Sequence, residues 1–167
     1  MIVLEDDRRE GLDNNMKDGT YSHCSQCKLK NNCCNDFDKN IDNIMLTKEE
    51  YDIIIDRVGK NYDKYFKLIN KNVYHLLNID GVCPFYLNDR CCIYDIRPAD
   101  CRLFPYDIKE INNDYYLIQY DLPCGSNNVS EISLDTINTL LTIIETYTAK
   151  ENEKLVNNLS YKIIKKI

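Results

Sequence analysis

Nine cysteines in two groups set the terms on which this chain can fold. Cys24, Cys27, Cys33 and Cys34 stand close together, and Cys83, Cys91, Cys92, Cys101 and Cys124 follow after a gap of about fifty residues. Thiolate is a soft donor that selects zinc, iron–sulfur clusters or Cu(I), so a split set of this size points first to a metal centre that closes the chain on itself. A length of 167 residues with 44% apolar residues leaves room for one domain with a modest core beside that metal-stapled part.

The formal net charge of −6 is counted before any thiolate. The ligand-ready protein is more negative still and repels phosphates, which makes nucleic acid a poor partner. Residues 1–9, MIVLEDDRR, lack a basic leader followed by an apolar stretch. No apolar run approaches the roughly 20 residues that cross a bilayer, so no membrane partner is expected. The expected compartment is cytoplasmic, where thiols stay reduced and dense cysteines mean metal more often than disulfide. An odd cysteine count speaks against a secreted disulfide scaffold in the same direction.

Along the chain, residues 1–20 read as an acidic N-terminal arm broken by Gly11 and Gly19. Residues 21–130 hold all nine cysteines and read as the metal-binding domain, and residues 131–167 as a C-terminal helix that packs on the domain or docks a partner. Ile41 to Leu46 is a short apolar stretch with strand character. Thr47-Lys48-Glu49-Glu50 is a capping box, in which the Thr47 hydroxyl accepts from the Glu50 amide and Glu50 reaches back, so a helix follows to about Val58. After Gly59 and Asn61, the spacing of Tyr62, Tyr65, Phe66, Ile69, Val73, Leu76 and Leu77 predicts a second helix and hence a helical hairpin between the cysteine groups.

From Gly81 the pattern changes. Val82 to Leu87 and Cys91 to Tyr94 flank the turn residues Asn88-Asp89-Arg90, and Tyr106 to Ile111 and Tyr115 to Asp121 flank Asn112-Asn113-Asp114, which predicts two short β-hairpins. Arg97-Pro98 opens a tight turn or short helix between them. Ser133 caps a last helix whose apolar face is Leu134, Ile137, Leu140, Leu141, Ile144 and Tyr147, extended by Leu155, Leu159 and Ile163. The closing Lys162-Ile163-Ile164-Lys165-Lys166-Ile167 reads as a solvated helix end or a docking segment for another subunit. The expected fold class is α+β, with a helical hairpin, two short β-hairpins and a C-terminal helix around much irregular loop.

Cys24-x2-Cys27 brings two sulfurs close enough to grip one metal, a spacing shared by zinc ribbons and iron–sulfur loops. The doublet Cys33-Cys34 suits different irons or two sites better than one tetrahedral ion, because neighbouring side chains diverge. In a strand, Cys91 and Cys92 point to opposite faces, so one of them shares a face with Cys83; the reading takes Cys91 as ligand and Cys92 as a small buried hydrophobe. Eight candidate ligands remain: Cys24, Cys27, Cys33, Cys34, Cys83, Cys91, Cys101 and Cys124.

These residues carry a resemblance. Cys24-x2-Cys27-x5-Cys33-Cys34, Ile44-x-Leu46-Thr47-x2-Glu50, Cys83-Pro84-Phe85, Cys91-x-Ile93-Tyr94, Arg97-Pro98-x2-Cys101-Arg102-x-Phe104-Pro105 and Cys124 resemble the YkgJ-like cysteine-cluster family. Its domain is called CxxCxxCC and described as zinc- or iron-chelating, and flagellin lysine methylase contains a related module. The spacer before the doublet is longer here than in the usual pattern. The resemblance implies a chelating module whose ligands are the eight matching cysteines, and by itself implies no activity.

Eight buried thiolates need cations, which ties metal binding to folding. Iron–sulfur clusters suit the doublet and the flanking Arg97 and Arg102, whose charge and hydrogen bonds can serve an anionic cluster; zinc held by four thiolates is the alternative. The same arginines can serve turn carbonyls or Asp95 and Asp100. His23 adjoins Cys24 and His75 falls inside the expected helical hairpin, where it reads as a packed or surface residue.

No radical Cys-x3-Cys-x2-Cys run, glycine-rich nucleotide loop or Ser-His-Asp set is present, so no catalytic residues are assigned. The sequence therefore favours an iron–sulfur accessory protein acting in electron transfer or in the handling and activation of another metalloenzyme. Its expected partners are that enzyme or its maturation machinery. A structural zinc module for protein contacts is the alternative, and a methylation-related enzyme the second alternative.

Overall fold

A computed structural model describes residues 43–88, 90–121, 132–146 and 160–167. Strand β1 (Asn43–Thr47) leads directly into helix α1 (Lys48–Val58). The capping box forms as the sequence predicts: Glu50 N donates to Thr47 Oγ1 at 3.3 Å and Thr47 N donates to Glu50 Oε2 at 3.1 Å. Gly59 ends the helix at a φ of 91°, a conformation open to glycine at no steric cost. Its amide closes back on Ile55 O at 2.8 Å.

The expected second helix does not form. Lys60–Tyr65 is a 3-10 turn, followed by strands β2 (Phe66–Asn70) and β3 (Val73–Leu77). The local cause is Asn70, whose Oδ1 accepts from Asn72 N and Val73 N at 3.0 Å each and so stabilises a turn where a helix would have to continue. The tertiary cause is β1, which pairs antiparallel with β3 along its whole length, giving a sheet ordered β1-β3-β2. The helical hairpin between the cysteine groups is thus a helix followed by a β-hairpin, and the fold remains α+β.

The two hairpins expected after Gly81 are present. The first is small, β4 (Tyr86–Leu87) against β5 (Arg90–Cys91), turning at Asn88 with a φ of 49°. A 3-10 turn at Tyr94–Ile96 and helix α2 (Ala99–Leu103) follow. The second hairpin joins β6 (Tyr106–Ile111) to β7 (Asp114–Tyr120) through Asn112 and Asn113, both left-handed with φ of 54° and 65°. This is the two-residue turn whose twist matches that of the flanking strands.

Helix α3 (Leu134–Thr146) starts at Ser133, whose Oγ accepts from Thr136 N at 3.1 Å. Its buried seam is Thr136, Ile137, Leu140 and Ile143, while Leu134 is 70% exposed. The seam is therefore rotated from the one read in the sequence. Residues 161–166 do not extend that helix. They form strand β8 (Tyr161–Lys166), which adds antiparallel to β7 in a sheet ordered β6-β7-β8. Ile163, expected on an apolar helix face, is a strand residue with 54% exposure. Tyr147, Leu155, Leu159 and the N-terminal arm lie outside the described residues.

Two apolar clusters result. One gathers Val73, Ala99, Leu103, Tyr106, Ile108, Leu117, Ile137, Leu140 and Ile143 between α2, α3 and the β6-β7 hairpin. The other gathers Leu46, Ile54, Tyr62, Leu76, Cys83, Phe85 and Ile93, with Cys91 and Cys92 packed against it. Each fully buried Leu, Ile or Phe contributes about 1.5–3 kcal/mol of transfer free energy. Helix α2 packs on α3, β1 and β6. Among the described residues no helix is long and apolar enough to cross a membrane.

Candidate metal centre

Four of the nine cysteines fall in the described residues: Cys83, Cys91, Cys92 and Cys101, none in a disulfide. Cys24, Cys27, Cys33, Cys34, Cys124 and His23 lie outside them.

Cys83 is buried at the start of the loop that Phe85 anchors. Its carbonyl accepts from Tyr86 N at 2.9 Å, and Cys92 N donates to Phe85 O at 2.9 Å, so the Cys83 loop and the β4-β5 hairpin are stitched together by their backbones. Phe85 has no exposed surface and lies against Tyr62, ring centroids 5.6 Å apart, and Phe66, 6.0 Å apart. Cys101 sits in the middle of α2. Ala99 and Leu103, four residues apart, share the helix face sunk in the first cluster, which turns Cys101 away from that cluster.

Electrostatics connects three of these thiols. Burial pushes the Cys101 thiol well above its ordinary range, and the neighbouring Asp100, Cys83 and Cys91 push it further, while Arg97 pulls it down. Cys92 is pushed up to about 12, first by burial and then by Cys91. It stands just past the end of β5, so the strand alternation used to separate it from Cys91 does not extend to it. Both neighbours are half-buried. Cys101 thus feels both Cys83 and Cys91, and Cys92 feels Cys91.

The two flanking arginines part company. The Arg97 guanidinium lies over the Tyr94 ring, 3.9 Å from its centroid, and its charge reaches Cys101. Arg102 Nη2 instead bonds Glu50 Oε1 at 3.4 Å. Asp95 pairs with Arg57 at 3.2 Å, and Asp100 Oδ2 accepts from Met45 N at 3.0 Å. His75 is buried at 6% exposure, on β3 rather than on a helix.

A set of acidic groups missed by the sequence reading lies beside α2. Burial, then the charge of Asp107, pushes Asp100 up to about 7. Burial also raises Asp107, although its carboxylate accepts from Tyr120 Oη at 2.5 Å and Ile108 N at 2.7 Å. Glu50 is raised by burial too, against the pull of its bonds to Thr47, Ala99 and Arg102. No local motif announces this group, because its members come together only when β1, α1, α2, β6 and β7 pack.

The donor chemistry fits a soft cation. A desolvated thiol surrounded by other thiols stays protonated in the absence of metal, and a cation that replaces the protons removes the cost of ionising the set. Among the described residues alone, no three His, Cys, Asp or Glu side chains form a group that could hold a metal ion.

Comparison with known families agrees with this chemistry. A family model named CxxCxxCC, described as "Putative zinc- or iron-chelating domain", matches residues 23–125. The chain belongs to the CxxCxxCC family. The match covers every candidate ligand from Cys24 to Cys124 and makes the chain a metal-binding cysteine-cluster protein. No curated protein and no solved structure matches the chain.

Proposed function

We propose that the chain is an iron–sulfur-cluster-binding accessory protein, serving electron transfer or the handling and activation of another metalloenzyme within a larger assembly. The observation that carries this reading is that a loop, a hairpin and a helix bring Cys83 and Cys91 near enough to Cys101 to push its thiol up, while the Arg97 charge pulls it down. In this reading Cys24, Cys27, Cys33, Cys34 and Cys124 complete the ligand set. A bound cluster supplies one-electron chemistry. The chain supplies thiolates, a positive charge at Arg97 that offsets an anionic centre, and an apolar wall built on Phe85 that limits water. The edge strand β8 supports the assembly part of the reading, since it exposes Tyr161 and Ile163, with Ile167 exposed just beyond it.

A second reading, zinc held by four thiolates at each of two sites, is favoured by the family description, which names zinc beside iron. Purification without oxygen separates the two, with a visible spectrum and assays of iron, zinc and acid-labile sulfide. A brown protein with iron and sulfide is the expected result. A colourless one with about two zinc ions per chain and no sulfide ends the cluster reading.

A further inference from the structure

We infer that Glu50 is a positioning residue for the metal centre, its single carboxylate on α1 fixing the N-terminus of the helix that carries Cys101. This rests on the reading of Cys101 as a metal ligand.

Helix α2 has five residues, too few to persist by helix propensity alone. It begins after Pro98, whose side chain holds no acceptor, and no local side chain caps it. The amides of its first turn therefore need a partner from elsewhere. Ala99 N finds one in Glu50 Oε1 at 2.7 Å, across 49 residues of sequence. The other oxygen, Oε2, is held by Thr47 N at 3.1 Å as part of the α1 capping box. One carboxylate thus caps two helices, its direction fixed by the first and its second oxygen spent on the other. A second tie crosses the same junction: Asp100 Oδ2 accepts from Met45 N at 3.0 Å, across 55 residues. Met45 and Thr47 both belong to β1, so α2 is clasped to the β1-α1 corner by two acidic side chains.

Apolar packing sets the depth of α2, because Ala99 and Leu103 are sunk in the core. It sets sliding and rotation less tightly, since apolar contact is non-directional. The 2.7 Å bond to Ala99 is directional, and Cys101 lies two residues beyond it. Metal–thiolate distances are tolerated only within about 0.2 Å, so a helix released from Glu50 presents its sulfur out of place.

The test uses the full chain, reduced and without oxygen, with cobalt(II) alone as probe. Affinity is read by competition with a chelator, site geometry by the thiolate-to-cobalt charge-transfer bands, and folding of the metal-free protein by circular dichroism. Glu50→Ala is expected to lower cobalt affinity about tenfold or more and to alter the bands at a temperature where the variant is folded, as removal of a group that orients a ligand does. Glu50→Gln, isosteric and with one acceptor oxygen left, is expected to fall between Glu50→Ala and the wild type, and decides the matter if Glu50→Ala does not fold. Lys48→Ala, which removes a half-exposed pair with Asp52 on α1, is expected to bind as the wild type does. Wild-type affinity and bands in the Glu50→Gln and Glu50→Ala proteins overturn the inference and leave the metal reading standing. A Cys101→Ser protein that binds cobalt like the wild type overturns the ligand assignment, and the positioning role with it.

Discussion

Phe85 offers the sharpest measure of how far the cysteine-bearing segments depend on ordinary packing. Its ring has no exposed surface and stands between Tyr62 and Phe66, and its backbone carbonyl holds the Cys92 amide. Phe85→Ala removes a buried ring that packs on Tyr62 of the 3-10 turn and Phe66 of β2, at a cost of about 3–5 kcal/mol. Lost ring pairing contributes about 0.5–1.5 kcal/mol of that for each partner. Domains hold about 5–15 kcal/mol in all, so the variant is expected to fold but marginally. At about 2–4 °C per kcal/mol for a chain of this size, the melting temperature of the metal-free, reduced protein should fall by about 6–20 °C. Phe85→Leu, which keeps most of the apolar volume, should fall markedly less. Circular dichroism during heating makes the measurement. A shift within about 3 °C for Phe85→Ala, or equal shifts for both variants, would refute the claim that this ring organises the second cluster.

Other expectations concern single interactions. Thr47→Ala removes the hydroxyl that caps α1 and should cost about 1 kcal/mol in urea denaturation, with an unchanged midpoint counting against the cap. Tyr120→Phe leaves the half-buried Asp107 without its 2.5 Å donor and should cost about 1–3 kcal/mol, so an equally stable variant would mean that water replaces the hydroxyl. Burial raises the Asp107 carboxyl above its ordinary 3.8, so the folded state holds that proton more tightly than the unfolded state. The metal-free domain should therefore lose stability as pH rises from about 4, and Asp107→Asn should flatten that slope; a slope of the opposite sign in the wild type would contradict the burial. Cys92→Ser should retain the wild-type metal content, whereas Cys101→Ser should lower it, as read by metal analysis of the purified proteins; loss of metal from Cys92→Ser would make Cys92 a ligand.

Much of this was legible locally. The capping box at Thr47 and Glu50, the cap at Ser133 and the turn at Asn112 and Asn113 each depend on residues a few positions apart, and each forms as the sequence predicts. The failures share a cause. Tyr62 to Leu77 carries apolar residues at helical spacing, but Asn70 and the pairing of β3 with β1 outweigh that rhythm. Ile163 reads as a continuation of an apolar helix face until β7 is there to pair with it. The candidate centre divides along the same line. Cys83, Cys91, Cys101 and Arg97 are conspicuous as residue types, whereas the second duty of Glu50 and the raised carboxyls of Asp100 and Asp107 depend on contacts far apart in sequence.

The order β6-β7-β8 also grades how quickly different parts of one sheet should open. Strands β6 and β7 are joined by a two-residue turn, whereas Tyr161 must find Tyr120 across a far longer stretch of chain, and the ladder between β7 and β8 is broken by a bulge near Ile118. Closing the longer loop carries the larger entropic cost, and the bulged ladder recovers less of it. In deuterium, the amides that β8 and β7 share should exchange by local detachment of β8, well before those that β6 and β7 share. The sheet would then be a stable hairpin with a strand that comes and goes, and β7 would carry the amides at the boundary between the two regimes.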